Sequence, residues 1–410
     1  MQFQQVIGQF PVKKQLVELV QHNRLSHALL FLGKEGTGGL PMALALAQYI
    51  VCEKVNGKSA SSTTAASLFG EEPGSTSLPV RALTDACGSC PSCQKAAQLV
   101  HPDIHFSYPT VTRKPGETPV ATDFITEWRE FVKMNPYGNL FEWVEQIKEK
   151  ENSQGKITAK ECEDIIRKLS LKSFESEYKI MIIWMPEELE KEGNKLLKII
   201  EEPPLNTLFI LVAENEEQIL PTIVSRCQLI RLMPLDRTEI EEALISRNKT
   251  EPAKARQISG VCDGNYREAL QMLQHAEEDW EALLRDWLNA IKRTGPLAQA
   301  KWVDEVSRLG REKQKQFLRY FNHMLEQAIH LRVYQQGDSS RIPDSIMPGN
   351  ELDLAERLNK IAAMDQQEAI IKELDRASYY IERNAHGKML FHALTIKLYH
   401  ILQDRLVLES

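Results

Sequence analysis

Residues Gly33–Leu40, with the sequence GKEGTGGL, nearly match a nucleotide-binding loop and lie between two elements that fit such a loop. The apolar run at 28–32, ALLFL, predicts a short buried β-strand before the loop. The run at 41–47, PMALALA, predicts a helix that begins near a proline after the loop. A phosphate-binding loop has the form G-x-x-x-x-G-K-[ST] in this strand–loop–helix setting. The stretch therefore predicts an α/β domain organised around a loop of the nucleotide-binding type.

Two positions of this altered loop (Gly33–Leu40) lack the required residues. Gly33 and Gly38 occupy the two glycine positions, but Gly39 and Leu40 stand where lysine and serine or threonine are needed. The glycines, with Gly36 between them, still let backbone N–H groups turn toward an anion at a helix N-terminus. The lysine that would reach the β- and γ-phosphates is missing, and leucine cannot ligate Mg²⁺. The loop predicts the shape of a nucleotide site in which ATP binding is weak or absent.

Composition limits the class of protein. With 410 residues, of which 26% are charged and 42% hydrophobic, the chain is expected to form two or three globular domains. No apolar stretch is long enough to span a membrane, and the first residues do not resemble a signal peptide, so a cytoplasmic location is expected. The formal net charge of −7 argues against a chain that coats nucleic acid through a positive field.

Three of the seven cysteines, Cys87, Cys90 and Cys93, have the spacing C-x-x-C-x-x-C, and Cys52 can supply a fourth thiolate. Four thiolates in tight turns suit a tetrahedral structural Zn²⁺ site. An iron–sulfur cluster is the alternative with soft ligands, and a redox disulfide ranks third. A closed site of four cysteines has no open position for catalysis, so its role is predicted to be structural.

Further apolar runs at 179–185, 207–213 and 228–232 predict buried strands separated by helices, which indicates a parallel α/β sheet. Two insertions interrupt this pattern, one polar at 57–79 and one rich in aromatic residues at 112–155. The aromatic side chains of the second insertion have the spacing of two helical faces and are predicted to pack rather than to stack on bases. They are Trp128, Phe131, Tyr137, Phe141 and Trp143.

Several local patterns give finer predictions. Apolar positions at helical spacing run through 3–25, and a helix is predicted over 194–202 before two prolines. Thr158 and Glu161 have the spacing of a capping box. The strand at 179–185 ends without the acidic residues that handle Mg²⁺ and water in an active P-loop ATPase.

Beyond Pro234 the periodicity is helical throughout, and a loop near 337–349 separates long helices. We predict an α/β domain over 1–234, which includes the cysteine module at 52–93. A helical lid is predicted over 235–278 and a helical collar or oligomerisation domain over 279–410.

Several motifs in the same order resemble bacterial clamp-loader subunits of the AAA+ class, from the DNA polymerase III holoenzyme. They are Ile7–Gln9, SHALLF at 26–31, the cysteine module, LLKIIEEPP at 196–204, and Ser225-Arg226-Cys227. The resemblance covers about the first 275 residues strongly, and the C-terminal helices match by pattern only. It implies an AAA+ P-loop domain with a structural zinc ion, a helical lid and a helical collar.

Within this family the motor subunits (gamma/tau) keep the lysine and threonine of the loop and the acidic strand end. The delta-prime type lacks a working ATP site but keeps Ser-Arg-Cys, and this chain shows that combination. The resemblance implies that Arg226 acts in trans as an arginine finger for a neighbouring ATPase subunit, with Ser225 and Cys227 positioning its turn. Arg267 resembles the second sensor, which touches nucleotide in active members, or is a lid-packing residue here.

The implied partners are the motor (gamma/tau) and delta subunits, with the sliding clamp and primer-template DNA reached through the assembled complex. The chain alone would have little or no ATPase activity, and no membrane partner is expected. Two alternatives remain: an active gamma/tau-type ATPase with an unusual loop, and a zinc-dependent nucleic-acid-binding module. Robust ATP turnover would favour the first, and steep salt-dependent DNA binding by the isolated chain would favour the second.

Overall fold

The computed structural model describes residues 1–57, 84–113, 116, 118–149, 154–274, 280–336, 349–382 and 385–403. The insertion predicted at 57–79, apart from Gly57, and the loop predicted near 337–349, apart from Gly349, lie outside the described residues. The chain divides into two compact units, Met1–Ala243 with Gly264–Glu268, and Leu244–Asp263 with Ala269–Ser410. The separate lid and collar predicted at 235–278 and 279–410 remain a prediction.

The first unit is built on a parallel sheet of five strands in the order β2-β3-β4-β1-β5. The strands are β1 Ala28–Leu32, β2 Ile104–Ser107, β3 Lys179–Trp184, β4 Thr207–Ala213 and β5 Gln228–Arg231. Every residue of β1, β3 and β4 is buried, as expected for central strands with both faces covered. The predicted parallel α/β sheet is confirmed, and all carboxyl ends of the strands meet at one edge.

Eight α-helices accompany this sheet among the described residues of the first unit before residue 234. They are α1 Phe10–Gln21, α2 Gly39–Val51, α3 Pro91–Ala97, α4 Ile125–Met134, α5 Leu140–Ile147, α6 Ala159–Ser170, α7 Leu197–Glu201 and α8 Pro221–Val224. Helix α2 begins directly at the altered loop, which confirms the predicted strand–loop–helix setting.

Two helix predictions need correction. The pattern over 3–25 is not one helix, because Gly8 and Gln9 have left-handed φ values of 54° and 56° and separate the 3-10 turn Phe3–Gln5 from α1. The predicted helix at 194–202 is α-helical only from Leu197, and residues Pro186–Leu196 form a 3-10 segment. Helical spacing of apolar residues alone does not reveal such breaks.

The aromatic residues of the second insertion pack, as predicted, against the sheet. The Trp128 ring stacks on Tyr108 with centroids 4.1 Å apart, and meets Trp143 edge-on at 5.3 Å and Trp184 at 5.2 Å. Phe141 is the exception, because its side chain is 51% exposed. The cluster fixes α4 and α5 next to β2 and β3.

The predicted capping box at α6 is only half formed. The Thr158 hydroxyl accepts the N–H of Glu161 at 3.2 Å, as an N-cap should. The Glu161 carboxylate does not complete the box, because it accepts the N–H of Ala121 at 2.7 Å. This bond ties α6 to the second insertion.

The described residues beyond 234 are helical. The helices are α9 Arg237–Asn248, α10 Pro252–Val261, α11 Tyr266–Gln274, α12 Trp280–Asn289, α13 Pro296–Val306, α14 Arg311–Gln336, α15 Gly349–Ile361, α16 Met364–Glu382 and α17 Gly387–Leu402. In the core of the second unit Trp287 stacks on Trp302, with ring centroids 4.4 Å apart. Among the described helices, none combines the length and apolar character needed to cross a membrane. The predicted fold class is confirmed as a parallel α/β domain followed by helices.

The loop before β3 depends on one buried carboxylate, which allows a stability prediction. Asp103 accepts the N–H groups of Phe174, Glu175 and Ser176 at 2.5, 2.7 and 2.7 Å. Burial raises its pKa, but these bonds outweigh burial and hold the pKa below the usual 3.8. We expect Asp103→Asn to lower the free energy of unfolding by about 1–3 kcal/mol at neutral pH, as measured by denaturant unfolding.

The pH dependence of the stability difference tests whether the ionised Asp103 carboxylate is its cause. Because the folded-state pKa is lowered, this contribution is present in full above the unfolded-state pKa and is lost as pH falls through the folded-state pKa. The difference between wild type and variant should therefore stay constant above pH 5 and shrink only below about pH 4. The control Asp353→Asn, in an exposed pair with Arg357, should change stability little. A difference that persists unchanged at low pH would contradict the assignment.

Candidate functional site

The altered loop lies at the carboxyl edge of the sheet and is held by its neighbours. The Gly33 N–H donates to the Ala213 carbonyl at 3.1 Å, and the Thr37 hydroxyl donates to the Lys34 carbonyl at 2.7 Å. The Gln9 side chain donates to the carbonyls of Thr37 at 3.2 Å and of Met233 at 2.5 Å. The motif Ile7–Gln9 therefore joins the loop to the segment that follows β5.

The loop carries an acidic residue that is paired inside the first unit. The Arg267 Nη1 donates to Glu35 Oε1 at 2.6 Å, and Arg267 Nε lies 3.2 Å from Glu142 Oε1. The amides of Asn139 and Asn265 also donate to the Glu35 carboxylate, at 3.0 and 3.3 Å. Burial raises the pKa of Glu35, but the charge and hydrogen bond of Arg267 and the two amides bring it below its usual value. A charged carboxylate thus sits beside Arg267, whose side chain is 3% exposed.

Residues 136–138 of the second insertion close the space over the loop. The cavity between them, the loop and the ends of β3 and β4 measures about 30 Å³. That volume is small for a chain of phosphates. A wider cavity of about 830 Å³ adjoins Gly33 and Lys34 on the side of β5. The Tyr137 hydroxyl accepts the N–H of Ile7 at 2.9 Å, and its ring atom Cε1 lies 3.2 Å from the position that a Cβ on Gly38 would take.

The end of β3 offers no acidic side chain to this cavity, which Trp184 lines instead. The next acid, Glu187, is buried and accepts the N–H groups of Glu214 and Asn215 at 2.6 and 2.9 Å. Burial, with the nearby charges of Glu35 and Glu187, raises the pKa of Glu214 to about 8. Glu187 thus connects the ends of β3 and β4, and Glu214 lines the cavity over the loop.

Arg226 lies between α8 and β5, and its side chain is 32% exposed. Its guanidinium donates to the Thr222 carbonyl at 2.9 Å and pairs with Glu201 Oε2 at 3.1 Å. The Ser225 hydroxyl also donates to the Thr222 carbonyl, at 3.2 Å. Burial raises the pKa of the half-buried Cys227 to about 11. Because an exposed ion pair contributes about 0–1 kcal/mol, Arg226 can leave Glu201 for another anion at little cost.

The four predicted metal ligands come together. The sulfur atoms of Cys52, Cys87, Cys90 and Cys93 all lie within 4.8 Å of one another, and those of Cys87 and Cys93 are 3.9 Å apart. Zn–S bonds of about 2.3 Å in a tetrahedron place sulfur atoms about 3.8 Å apart, so the spacing fits a zinc ion. The four cysteines are positioned to bind a metal ion.

Backbone N–H groups support these thiolates. The N–H groups of Cys87, Cys90 and Cys93 donate to the sulfurs of Cys52, Cys87 and Cys90 at 3.4, 3.3 and 3.4 Å. Burial raises the pKa of Cys87, but N–H groups of Cys90 and Ser89 outweigh it and bring the pKa to about 6. At Cys87 the turn geometry thus favours the charged sulfur that a metal requires, whereas burial raises the pKa of Cys90 and of Cys93 while no ion is bound.

The sequence analysis missed the group around Glu35. It assigned Gly33, Gly36, Gly38, Gly39 and Arg267 to a degenerate nucleotide site, and the loop glycines and Arg267 do lie at one edge of the first unit. It did not assign Glu35, Tyr137 or Glu142, whose side chains face that site. An acidic residue inside a loop of the phosphate-binding type was the available signal, because it would repel the phosphates.

Comparisons with known proteins identify the family of this chain. A family model described as "DNA polymerase III, delta subunit" matches residues 8–69 and 59–236. The DNA polymerase III subunit delta' of Bacillus subtilis (strain 168) is 27% identical over 65% of this chain and 59% of its own length. The subunit delta' of Escherichia coli (strain K12) is 24% identical over 55% of this chain and 47% of its own length. The tau subunit of B. subtilis is 25% identical over 67% of this chain and 37% of its own length.

The chain thus spans about half the length of the two delta' relatives. The residues that the family model matches span more than half of the 410 residues of this chain. The chain belongs to the DNA polymerase III delta-subunit family, as a clamp-loader subunit of the delta-prime type.

Proposed function

We propose that the chain is a non-hydrolysing subunit of the DNA polymerase III clamp loader, with little or no ATPase activity alone. One combination of features carries the proposal: the loop glycines face a cavity of only about 30 Å³ and lack the phosphate-reaching lysine at position 39, whereas Arg226 stands at the surface in an ion pair with Glu201. A subunit with this combination can assist hydrolysis only at a neighbour's site. The chain would thereby help to load the sliding clamp on primed DNA during replication.

The role of Arg226 follows from the chemistry of phosphoryl transfer. Negative charge develops on the transferred group, and a guanidinium supplied by a second subunit stabilises it. Ser225 and Cys227 would hold the turn that presents Arg226. The partners would be the motor (gamma/tau) subunits and the delta subunit, with the clamp and DNA contacted through the assembled complex.

The two alternatives have less support. An active gamma/tau-type ATPase would need a lysine where Gly39 stands and an acid where Trp184 lines the cavity. A zinc-dependent nucleic-acid-binding module is disfavoured by the net charge of −7. Zn²⁺ is the proposed ion of the four cysteines because its tetrahedral geometry fits their spacing. The lid over 235–278 and the collar over 279–410 are part of the same proposal.

The finger assignment predicts that Arg226→Ala lowers the ATPase activity of the reconstituted loader. The rate of hydrolysis at the neighbouring site should fall on the order of 10³-fold or more, because the charge that develops on the phosphoryl group is no longer stabilised. The total ATPase activity of the loader should fall by the fraction that this site contributes. The measurement is steady-state ATP hydrolysis with clamp and primed DNA, together with co-purification of the motor and delta subunits. Arg226→Lys should restore little of the ATPase activity, because the lysine ammonium lacks the planar, bidentate geometry of a guanidinium.

A matched control is Arg231→Ala, which removes an exposed arginine of β5 that pairs with Glu216 in the 3-10 turn after β4. It should leave loader ATPase unchanged. Full activity of a complex that contains Arg226→Ala would exclude the finger, and fast hydrolysis by the isolated chain would favour the motor alternative.

The metal assignment predicts about one zinc ion per chain in purified protein. Cys93→Ser should lose that ion and lower the unfolding temperature, because the three remaining thiolates, two of them buried, then lack their shared cation. Metal analysis and thermal unfolding are the measurements. Cys262→Ser, a buried cysteine outside the cluster, is the control and should keep the metal. Stoichiometric iron, together with visible absorption, would instead identify the bound group as an iron–sulfur cluster.

A further inference from the structure

We propose that the chain carries a built-in substitute for nucleotide. Glu35 takes the anion position beside Arg267, and the plug segment (residues 135–142) fills the space over the altered loop. This inference deepens the proposed function, on which it rests, by naming what occupies the loop in a subunit that does not hydrolyse ATP. It also assigns a role to part of the second insertion.

The charges support this substitution. A guanidinium that is only 3% exposed is costly to bury unless an anion accompanies it. The Glu35 carboxylate accepts from Arg267 at 2.6 Å, as an oxygen of a bound phosphate would in a nucleotide-binding loop. Here the anion belongs to the loop itself. The position is therefore filled at all times, without any dissociation.

The steric fit of the plug segment supports the same conclusion. Gly38 has a φ of 95° and the Tyr137 ring lies against it, where backbone N–H groups of a working loop would face phosphate. The cavity that remains between the loop glycines and the plug segment measures only about 30 Å³, which is small for a triphosphate. Gly138 packs under the Phe131 ring and Asn135, so the turn that presents Tyr137 is itself closely packed.

Hydrogen bonds join the plug segment to the loop. Asn139 donates to Glu35 at 3.0 Å, and Asn135 donates to Glu142 at 2.7 Å, which in turn faces Arg267. Because these groups are on one chain, the carboxylate acts at a high effective concentration that free anions cannot match. The loop is thus held closed with its own ligand, and nucleotide is not needed to order it.

The test is chemical rescue of Glu35→Ala, followed by thermal unfolding of the full chain. The variant should unfold at a lower temperature, since Arg267 loses an anionic partner, and inorganic phosphate should restore about 2–4 °C. Chloride at equal ionic strength should not. Glu35→Gln fills the position with a neutral group and should gain little from phosphate. Glu145→Ala on α5, whose partner is the nearby Lys148, is the control.

A second measurement needs no variant. The unfolding temperature of the wild-type chain should not respond to Mg-ATP or phosphate, because the position is already filled. The double variant Glu35→Ala with Arg267→Met should lose the phosphate response, which separates binding beside Arg267 from a general salt effect.

Two results would overturn the inference. One is a clear stabilisation of wild-type protein by Mg-ATP, which would also contradict the absence of nucleotide binding in the proposed function. The other is a folded Glu35→Ala variant that responds to phosphate no more than wild type does. The second result leaves the loader assay on Arg226 unaffected, so the inference and the proposed function can fail separately.

Discussion

The ion pair between Glu35 and Arg267 is the interaction around which the candidate site is arranged. It joins the loop after β1 to residues 264–268, which also contribute the Asn265 amide, while the Asn139 amide and Glu142 bring in the plug segment. In a nucleotide-binding loop the bound ligand makes these connections, and the ligand can dissociate. Here the anion is a side chain of the protein and cannot dissociate. The difference between a switching subunit and a static one can thus reside in one acidic side chain.

The static loop and the exposed arginine are complementary. A subunit of the proposed kind, with Arg226 serving a neighbour's site, would benefit from a framework that does not change with its own ligand state. Arg226 lies just before β5, and β5 pairs directly with β1, the strand that leads into the loop. The altered loop and the turn that carries the guanidinium are therefore joined through one pair of hydrogen-bonded strands.

Sequence patterns predicted the sheet and the cysteine cluster because both depend on local information. A central parallel strand needs a continuous apolar run, and thiolates three residues apart need only a tight turn. The partners of Glu35 could not be predicted, since Asn139 and Arg267 are 104 and 232 positions away along the chain. The break before α1 was missed for another reason: φ values at Gly8 and Gln9, not apolar spacing, decide it.

The contact between Cys52 and Cys87 has a consequence for how this chain can vary in length. The Cys87 N–H lies 3.4 Å from the Cys52 sulfur, so the two ends of the intervening segment meet at a fixed point beside α2. The closure entropy of a loop grows only with the logarithm of its length. A change in the number of residues between these anchored ends therefore changes the closure entropy only slightly.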